Sequence, residues 1–307
     1  MKAKWFIACL LLSSSIAVAA PAHKKAGHHK TGKAKAVKIS KAVKPVKIHA
    51  TEDHRLQLGS AVAMIVDQQS GETLFSRNAA SQAPIASITK LMTAMVVLDA
   101  GLSMDEPITI TEADVDWLRN SGSRLRVGTT LTRGETLQLA LMSSENRAAA
   151  ALARTYPGGM AQFVAAMNRK AAELDMRQTH FVDSTGLHSE NVSTAEDLVK
   201  MVRAGYHYER IRQMSTAEGY DVVNDNGHRT AYRNTNALVK SPSWDIGLSK
   251  TGFINEAGRC LVMQAQIASR PVIIVLLDSW GKYTRIADAN RIKKWLESSR
   301  TALARLG

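Results

Sequence analysis

From position 60 onward the chain alternates apolar runs with short clusters of turn residues. Residues 61–67 and 72–75 flank Gln68-Gln69-Ser70-Gly71, which predicts a β-hairpin. Residues 261–267 and 272–277, separated by Ser269-Arg270-Pro271, predict a second strand pair, and residues 246–252 a further strand. Between these strands the period is helical. Thr132-x-x-Glu135 reads as a capping box opening a helix through Met142, and Met160, Phe163, Val164, Met167 and Leu174 recur every three to four residues. Ser193-x-x-Glu196 is expected to cap another helix, with Leu198, Val199 and Val202 on its apolar face. A closing helix is expected from about Tyr283 to Leu303, with Ile286, Ile292, Leu296 and Leu303 on one side. Strands gathered from both ends around a helical block predict an α/β fold of the α+β type. One sheet, packed by terminal helices, would join an inserted helical lobe at about 101–235, with a cleft between the lobes as the place for a site.

Before position 55 the pattern is different. A short basic start, the apolar run 5–16 and Ala17-Val18-Ala19 predict an export signal cleaved after Ala19, too short to span a bilayer. Cys9 has only eight residues ahead of it, too few for a lipidation signal. The net charge of +13 is concentrated here: residues 1–50 hold eleven Lys and no acid, leaving 29 basic against 27 acidic side chains in 51–307. The near-neutral domain gives no nucleic-acid signal. Residues 20–54 have too little large apolar surface to offset the entropy of ordering them, so they read as a disordered tether. That tether is either a salt-sensitive contact to anionic envelope polymers and headgroups or a solvated spacer. His28-His29 lacks a third metal ligand. With Cys9 removed, Cys260 has no intrachain partner, so the 55–307 domain must be held by its core.

Three short motifs carry chemistry. Ser87-Ile88-Thr89-Lys90 opens an apolar helix with hydroxyl and amine on one face, and a buried Lys flanked by other cations can lose its proton near neutral pH and act as a base. The helix N-terminus points free N–H groups at a developing oxyanion. Ser144-Glu145-Asn146 falls on a turn between helices, where a hydroxyl can relay a proton and an amide can hold a carbonyl. Lys250-Thr251-Gly252 lies on an expected strand: an edge strand binds extended peptides, Gly252 allows close approach, and Lys250 and Thr251 offer a charge and a hydroxyl to a carboxylate. Each motif has a copy elsewhere, at Ser279-x-x-Lys282, Ser189-Glu190-Asn191 and Lys30-Thr31-Gly32, but in reverse order and in unsuitable settings. Ser87, Ser144 and Lys250 occur in the order known for penicillin-binding proteins and class A β-lactamases.

Over roughly residues 55–298 the chain resembles the low-molecular-weight penicillin-binding proteins of the D-alanyl-D-alanine peptidase family. The segments that carry this are PIASITKLMTAMVV (84–97), LALMSSENRAAA (139–150), FVDSTGL (181–187) and SKTGFINEAGRC (249–260), most similar to the endopeptidases of that family. The resemblance implies a β-lactamase-like fold with an antiparallel sheet, and hydrolysis of D-alanyl–diaminopimelyl crosslinks in peptidoglycan. It implies Ser87 as acylated nucleophile, Lys90 as base, Ser144 as proton relay and Asn146 as a substrate contact. Lys250 and Thr251 would bind the carboxylate side, beside Gly252, and the backbone N–H groups of Ser87 and Phe253 would form the oxyanion hole. It also implies β-lactams as covalent inhibitors, a periplasmic location, and neither cofactor nor metal.

The β-rich domain and amphipathic anchor of carboxypeptidase relatives are not expected after the closing helix, which favours a soluble endopeptidase. No Glu-x-x-Leu-Asn follows the second motif, and Glu173-Leu174-Asp175 is a poor substitute, so a penicillin adduct is expected to be long-lived. A D,D-carboxypeptidase acting on terminal D-Ala, and a wall-binding protein without turnover, stay open. A metal peptidase is disfavoured because no His-x-x-x-His pair occurs in the folded part; His54, His180, His188, His207 and His228 are scattered and read as surface or core. Trp117, Trp244 and Trp280 either line a sugar-binding groove or simply pack, and Cys260 reads as a small buried apolar residue.

Overall fold

The computed structural model describes residues 56–223, 227 and 229–304, without the side chains beyond 298; the expected leader at 1–19, the tether at 20–54, His54, His228 and the Leu303 side chain lie outside the described residues. β1 (Ser60–Asp67) and β2 (Thr73–Arg77) form the first hairpin. Asp67 Oδ1 accepts from the backbone N–H groups of Gln69 and Ser70, both at 2.9 Å, which fixes its turn. The chain then passes through β3 (Ala83–Pro84) and a 3-10 turn at Ala86–Ile88 into α1 (Thr89–Asp99). β4 (Pro107–Thr109) and β5 (Thr130–Thr132) pair ahead of α2 (Arg133–Met142), α3 (Asn146–Arg154) and α4 (Gly159–Glu173). β6 (Val192–Ser193) pairs with β3, and α5 (Ala195–Tyr206), α6 (Glu209–Thr216) and the hairpin of β7 (Gly219–Val223) with β8 (Arg229–Arg233) follow. β9 (Asp245–Ile254), β10 (Gly258–Ile267) and β11 (Arg270–Ser279) return to the main sheet, and α7 (Thr284–Ala304) closes the chain.

The main sheet has the order β2-β1-β11-β10-β9 and every pairing in it is antiparallel. β10 and β11 are buried over six consecutive residues, because both faces of the sheet are covered, and this is why they read as unbroken apolar runs. Strand alternation divides these residues between two cores. Val62, Val66, Val262, Ile273, Val275 and Leu277 pack with Leu91, Met95, Leu198 and Val202 of the helical part. Ala63, Ile65, Leu261, Met263, Ile274 and Leu276 pack with Ala289, Ile292 and Leu296 of α7. Truncating a fully buried residue such as Ile292 to Ala would cost about 2–5 kcal/mol. Of the flanking terminal helices expected, the described residues supply the C-terminal one.

The capping box at Thr132 and Glu135 is present as read: Thr132 Oγ1 accepts from Glu135 N at 3.1 Å, and the Glu135 carboxylate accepts from Thr132 N at 2.8 Å. The expected cap at Ser193 is displaced by one residue. Thr194 caps α5 by accepting from Asp197 N at 3.2 Å, while Ser193 is taken up by β6 and bonds the Thr179 hydroxyl at 2.7 Å. The loop between β10 and β11 is Ala268-Ser269 rather than Ser269-Arg270-Pro271. Both residues adopt positive φ, as a two-residue hairpin loop requires, and Pro271 lies inside β11. The pairs β4–β5 and β7–β8 inside the helical part were not foreseen. His180, His188 and His207 are exposed, Trp244 and Cys260 are buried, and Trp117 and Trp280 protrude at 73% and 89% exposure.

Candidate active site

The helix α1 runs through the helical core with nine of its eleven residues buried, Lys90 among them, while Ser87 sits half-exposed in the turn just ahead of it. Ile85 N–H donates to Asn191 O at 3.0 Å, and Ala86 takes the left-handed conformation at φ 48°, so the turn is forced into an unusual path before the helix begins. A three-residue spacing brings the side chains together: Lys90 Nζ lies 2.8 Å from Ser87 Oγ. The same nitrogen lies 2.7 Å from Asn146 Oδ1 and 2.6 Å from the Thr185 carbonyl. These last two oxygens only accept. A neutral amine therefore spends both its N–H bonds on them and turns its lone pair toward Ser87, whose hydroxyl then donates.

Burial in this apolar setting pulls the Lys90 ammonium down to about 7, against the opposing pull of the Asp183 and Glu145 carboxylates. Of the two expected causes, burial acts on Lys90 and flanking cations do not. The neighbouring positive charges act instead at Lys250, which burial foremost, then Lys90 and Arg285, hold well below the ordinary lysine value.

Ser144 occupies the sharp corner between α2 and α3 at φ 62°. Glu145 caps α3 and accepts from Ser123 Oγ at 2.7 Å. Asn146 is the first residue of α3, and its Nδ2 donates to Ser121 Oγ at 2.9 Å, which fixes the oxygen toward Lys90. From the facing strand β9, Lys250 Nζ donates to Ser144 Oγ and to the Thr251 carbonyl, each at 2.8 Å. Thr251 Oγ1 donates to Thr235 Oγ1 at 2.7 Å. Ser87, Lys90 and Asn146 therefore form one hydrogen-bonded set and Ser144, Lys250 and Thr251 a second, close enough for the Lys90 charge to act on Lys250.

β9 is an edge strand of the sheet. Gly252 was expected to admit a peptide; in the folded chain its missing side chain already admits the Ser87 turn. A Cβ there would lie 2.9 Å from the Ile85 carbonyl oxygen, 3.1 Å from Ala86 Cβ and 3.1 Å from Ser87 N. Phe253 follows with its ring 49% exposed and the Arg259 guanidinium 4.4 Å above it. Behind the strand, the Arg285 side chain of α7 donates to the carbonyls of Gly252 at 3.0 Å and Cys260 at 3.2 Å.

Several members of the site carry no motif of their own. The 183–188 loop supplies the Thr185 carbonyl, and the Asp183 carboxylate holds that loop by accepting from Thr185 N, Gly186 N, His188 N and Asn191 Nδ2. An Asp followed two residues later by Thr-Gly is a turn signal, but nothing in it tells that the turn faces Lys90. The copy Ser189-Glu190-Asn191 has a structural use: Asn191 is buried, accepts from Val182 N at 2.7 Å and donates to Thr89 Oγ1 at 3.0 Å, tying the loop to the base of α1. Ser279 of the other copy bonds Ser60 Oγ at 2.7 Å at the end of β11.

A hydroxyl beside a desolvated amine, with two further donors across an open strand edge, is an arrangement suited to acyl transfer. Residues 48–281 match the family model described as D-alanyl-D-alanine carboxypeptidase, peptidase S11. The chain is 50% identical over 243 residues to a D-alanyl-D-alanine endopeptidase of Pseudomonas aeruginosa, covering 79% of this chain and 78% of that protein. It is 46% identical over 252 residues to a D-alanyl-D-alanine endopeptidase of Escherichia coli, covering 82% and 81%. The Streptomyces K15 DD-transpeptidase superposes with a TM-score of 0.73 at 29% identity, over 79% of this chain and 98% of that one. With the motifs assembled in one cleft, the family model matched across most of the sequence and the same fold in a solved relative, this chain belongs to the D-alanyl-D-alanine carboxypeptidase (S11) family of serine peptidases.

Proposed function

We propose that this protein is a serine D-alanyl-D-alanine endopeptidase that hydrolyses D-alanyl–diaminopimelyl crosslinks of peptidoglycan through an acyl-enzyme on Ser87. The observation that carries the reading is the 2.8 Å contact between Ser87 Oγ and a buried Lys90 whose ammonium titrates at about 7. Lys90 Nζ takes the Ser87 proton as Oγ bonds to the D-alanyl carbonyl carbon. The oxygen that becomes anionic is held by the backbone N–H groups of Ser87 and Phe253. Collapse breaks the C–N bond, and the departing amine receives a proton through Ser144, whose hydroxyl is held by Lys250. Water then attacks the ester, the D-alanyl acid leaves, and the proton returns to Ser87. Asn146 contacts the substrate amide, and Lys250, Thr251 and Gly252 line the carboxylate side. β-Lactams acylate the same hydroxyl as covalent inhibitors.

The endopeptidase assignment is supported by the two relatives named above. The 55–307 domain carries the activity in the periplasm, behind an export leader at 1–19 and a Lys-rich tether at 20–54 that contacts anionic envelope polymers. Mass spectrometry of crosslinked muropeptide dimers, incubated with the wild type and with Ser87→Ala, tests the reading. Conversion of dimers to monomers only with intact Ser87 is the expected result. Loss of terminal D-Ala from pentapeptides with crosslinks preserved would make the enzyme a D,D-carboxypeptidase, and no change in either would make it a wall-binding protein.

A further inference from the structure

We propose that the corner between β11 and α7 is a second substrate-binding surface, an aromatic platform for the sugar rings of the glycan strand from which the stem peptide hangs. The proposal rests on the peptidoglycan reading above. Trp280 and Tyr283 both protrude from this corner, at 89% and 69% exposure. Rings held out in water lose the gain that burial would give, and such patches mark contact surfaces. Gly281, at φ 85°, turns the chain between them.

The sheet register joins this corner to the active site. Arg259 pairs with Phe253 on one side and with Ser279 on the other, so Phe253, Arg259 and Ser279 lie abreast across β9, β10 and β11. Trp280 therefore begins about 10 Å, two strand spacings, from Phe253. That is the span of two neighbouring sugar rings. Phe253 directly follows Gly252, and Arg285, two residues past Tyr283, bonds the Gly252 carbonyl at 3.0 Å, so the corner is braced against the strand that borders the cleft.

The charge pattern selects the ligand. The Arg259 guanidinium covers the Phe253 ring at 4.4 Å and the Lys282 ammonium stands 5.5 Å from the Tyr283 ring centre. Residues 279–285 carry no acid. Flat rings flanked by cationic donors suit the C–H faces of pyranoses and the hydroxyl, acetamido and carboxyl oxygens around them. A lipid surface would meet the same chemistry, but this patch lies only about two strand spacings across the sheet from the strand that borders the cleft, and in peptidoglycan the peptide in that cleft is already tied to a glycan. A ligand held at both places gains affinity from the tether between them.

The test compares full-length Ser87→Ala with the same chain also carrying Trp280→Ala and Tyr283→Ala, by co-sedimentation with purified sacculi at about 0.3 M salt, where the Lys-rich segment is screened. Binding weaker by about ten-fold is expected. In the Ser87 background, Trp280→Ala with Tyr283→Ala should label with penicillin and cut crosslinked peptide dimers stripped of sugar at wild-type rates, while digestion of sacculi falls. Undiminished sacculus binding and digestion would overturn the proposal. So would loss of binding to anionic phospholipid vesicles with sacculus binding intact, which would make the corner a membrane contact. If the wild type cuts neither substrate, the endopeptidase reading fails, and the sedimentation comparison still decides the platform.

Discussion

Gly186 and Ala86 touch backbone to backbone: a Cβ on Gly186 would lie 1.9 Å from the Ala86 carbonyl oxygen and 2.9 Å from Ser87 N. Gly186 also holds φ at 80°, a conformation side chains rarely adopt. With Gly252 pressing from the other side, the Ser87 turn is clamped between two glycines. Gly186→Ala must push the turn or the 183–188 loop away, and displacing a nucleophile by about 1 Å costs on the order of 100-fold in rate. Penicillin acylation of Gly186→Ala should slow by that factor while the protein stays folded. Acylation at the wild-type rate would show that the clamp does not position Ser87.

That contact marks the boundary of what the sequence makes legible. The Thr132–Glu135 box and the Ser87–Lys90 pair were readable because their partners are three residues apart on one helix. Ser144 and Lys250 were readable only through motif order, since their contact spans 106 residues. Thr185 and Gly186 reach Lys90 and Ala86 across a similar distance in the chain, and a turn carries no mark of what it will face. The α5 cap moved by one residue because Ser193 and Thr194, and Glu196 and Asp197, offer the same chemistry side by side. The choice was made by Thr179, which occupies Ser193. Packing was the natural expectation for three tryptophans, and only Trp244 follows it, donating from its indole to Asn290 at 3.0 Å.

Lys90 links activity to pH. The base form is populated as pH rises through about 7, so acylation of Ser87 should increase about ten-fold per pH unit below that value and level off above it. The stability effect has the same sign. Below about 7 both folded and unfolded chains carry the proton, and the folded state bears the full cost of a buried charge. Between about 7 and the unfolded value near 10.4, only the unfolded chain keeps the proton, so this group's contribution to stability improves with pH by up to about 1.4 kcal/mol per unit. Urea unfolding at about pH 6 and about pH 8, roughly one unit either side of that value, should show the wild type gaining relative to Lys90→Met. A constant difference between the two proteins would mean that Lys90 stays charged in the folded protein at both pH values.

Ser144→Ala removes the hydroxyl that accepts from Lys250 Nζ at 2.8 Å, leaving this deeply buried amine with the Thr251 carbonyl. An unmade hydrogen bond to a buried group costs about 1–3 kcal/mol, which thermal unfolding should register. If Ser144 relays the proton to the leaving amine, crosslink hydrolysis should fall by about 10²–10³. Lys90 keeps its Asn146 and Thr185 contacts in this variant, so the pH at which acylation levels off should stay near 7. A variant with normal turnover would confine Ser144 to a structural role.

Asp288 joins the two ends of the folded chain. Fully buried on α7, its carboxylate accepts from Gly59 N at 3.0 Å, Ser60 N at 2.8 Å and Ser60 Oγ at 2.7 Å, and from Arg291 Nη1 at 2.7 Å. It fastens the helix covering one face of the sheet to the first residue of β1. Asp288→Ala leaves two backbone donors buried without an acceptor, a loss of about 3–5 kcal/mol, whereas Asp288→Asn keeps one oxygen and should lose about half as much. Denaturant midpoints would give both values. Because α7 packs on the face of the sheet away from the helical core, the fraction that remains folded should still be acylated by penicillin at the wild-type rate. A loss below about 1 kcal/mol in Asp288→Ala would mean that water replaces the carboxylate, and that the helix is held by its apolar contacts alone.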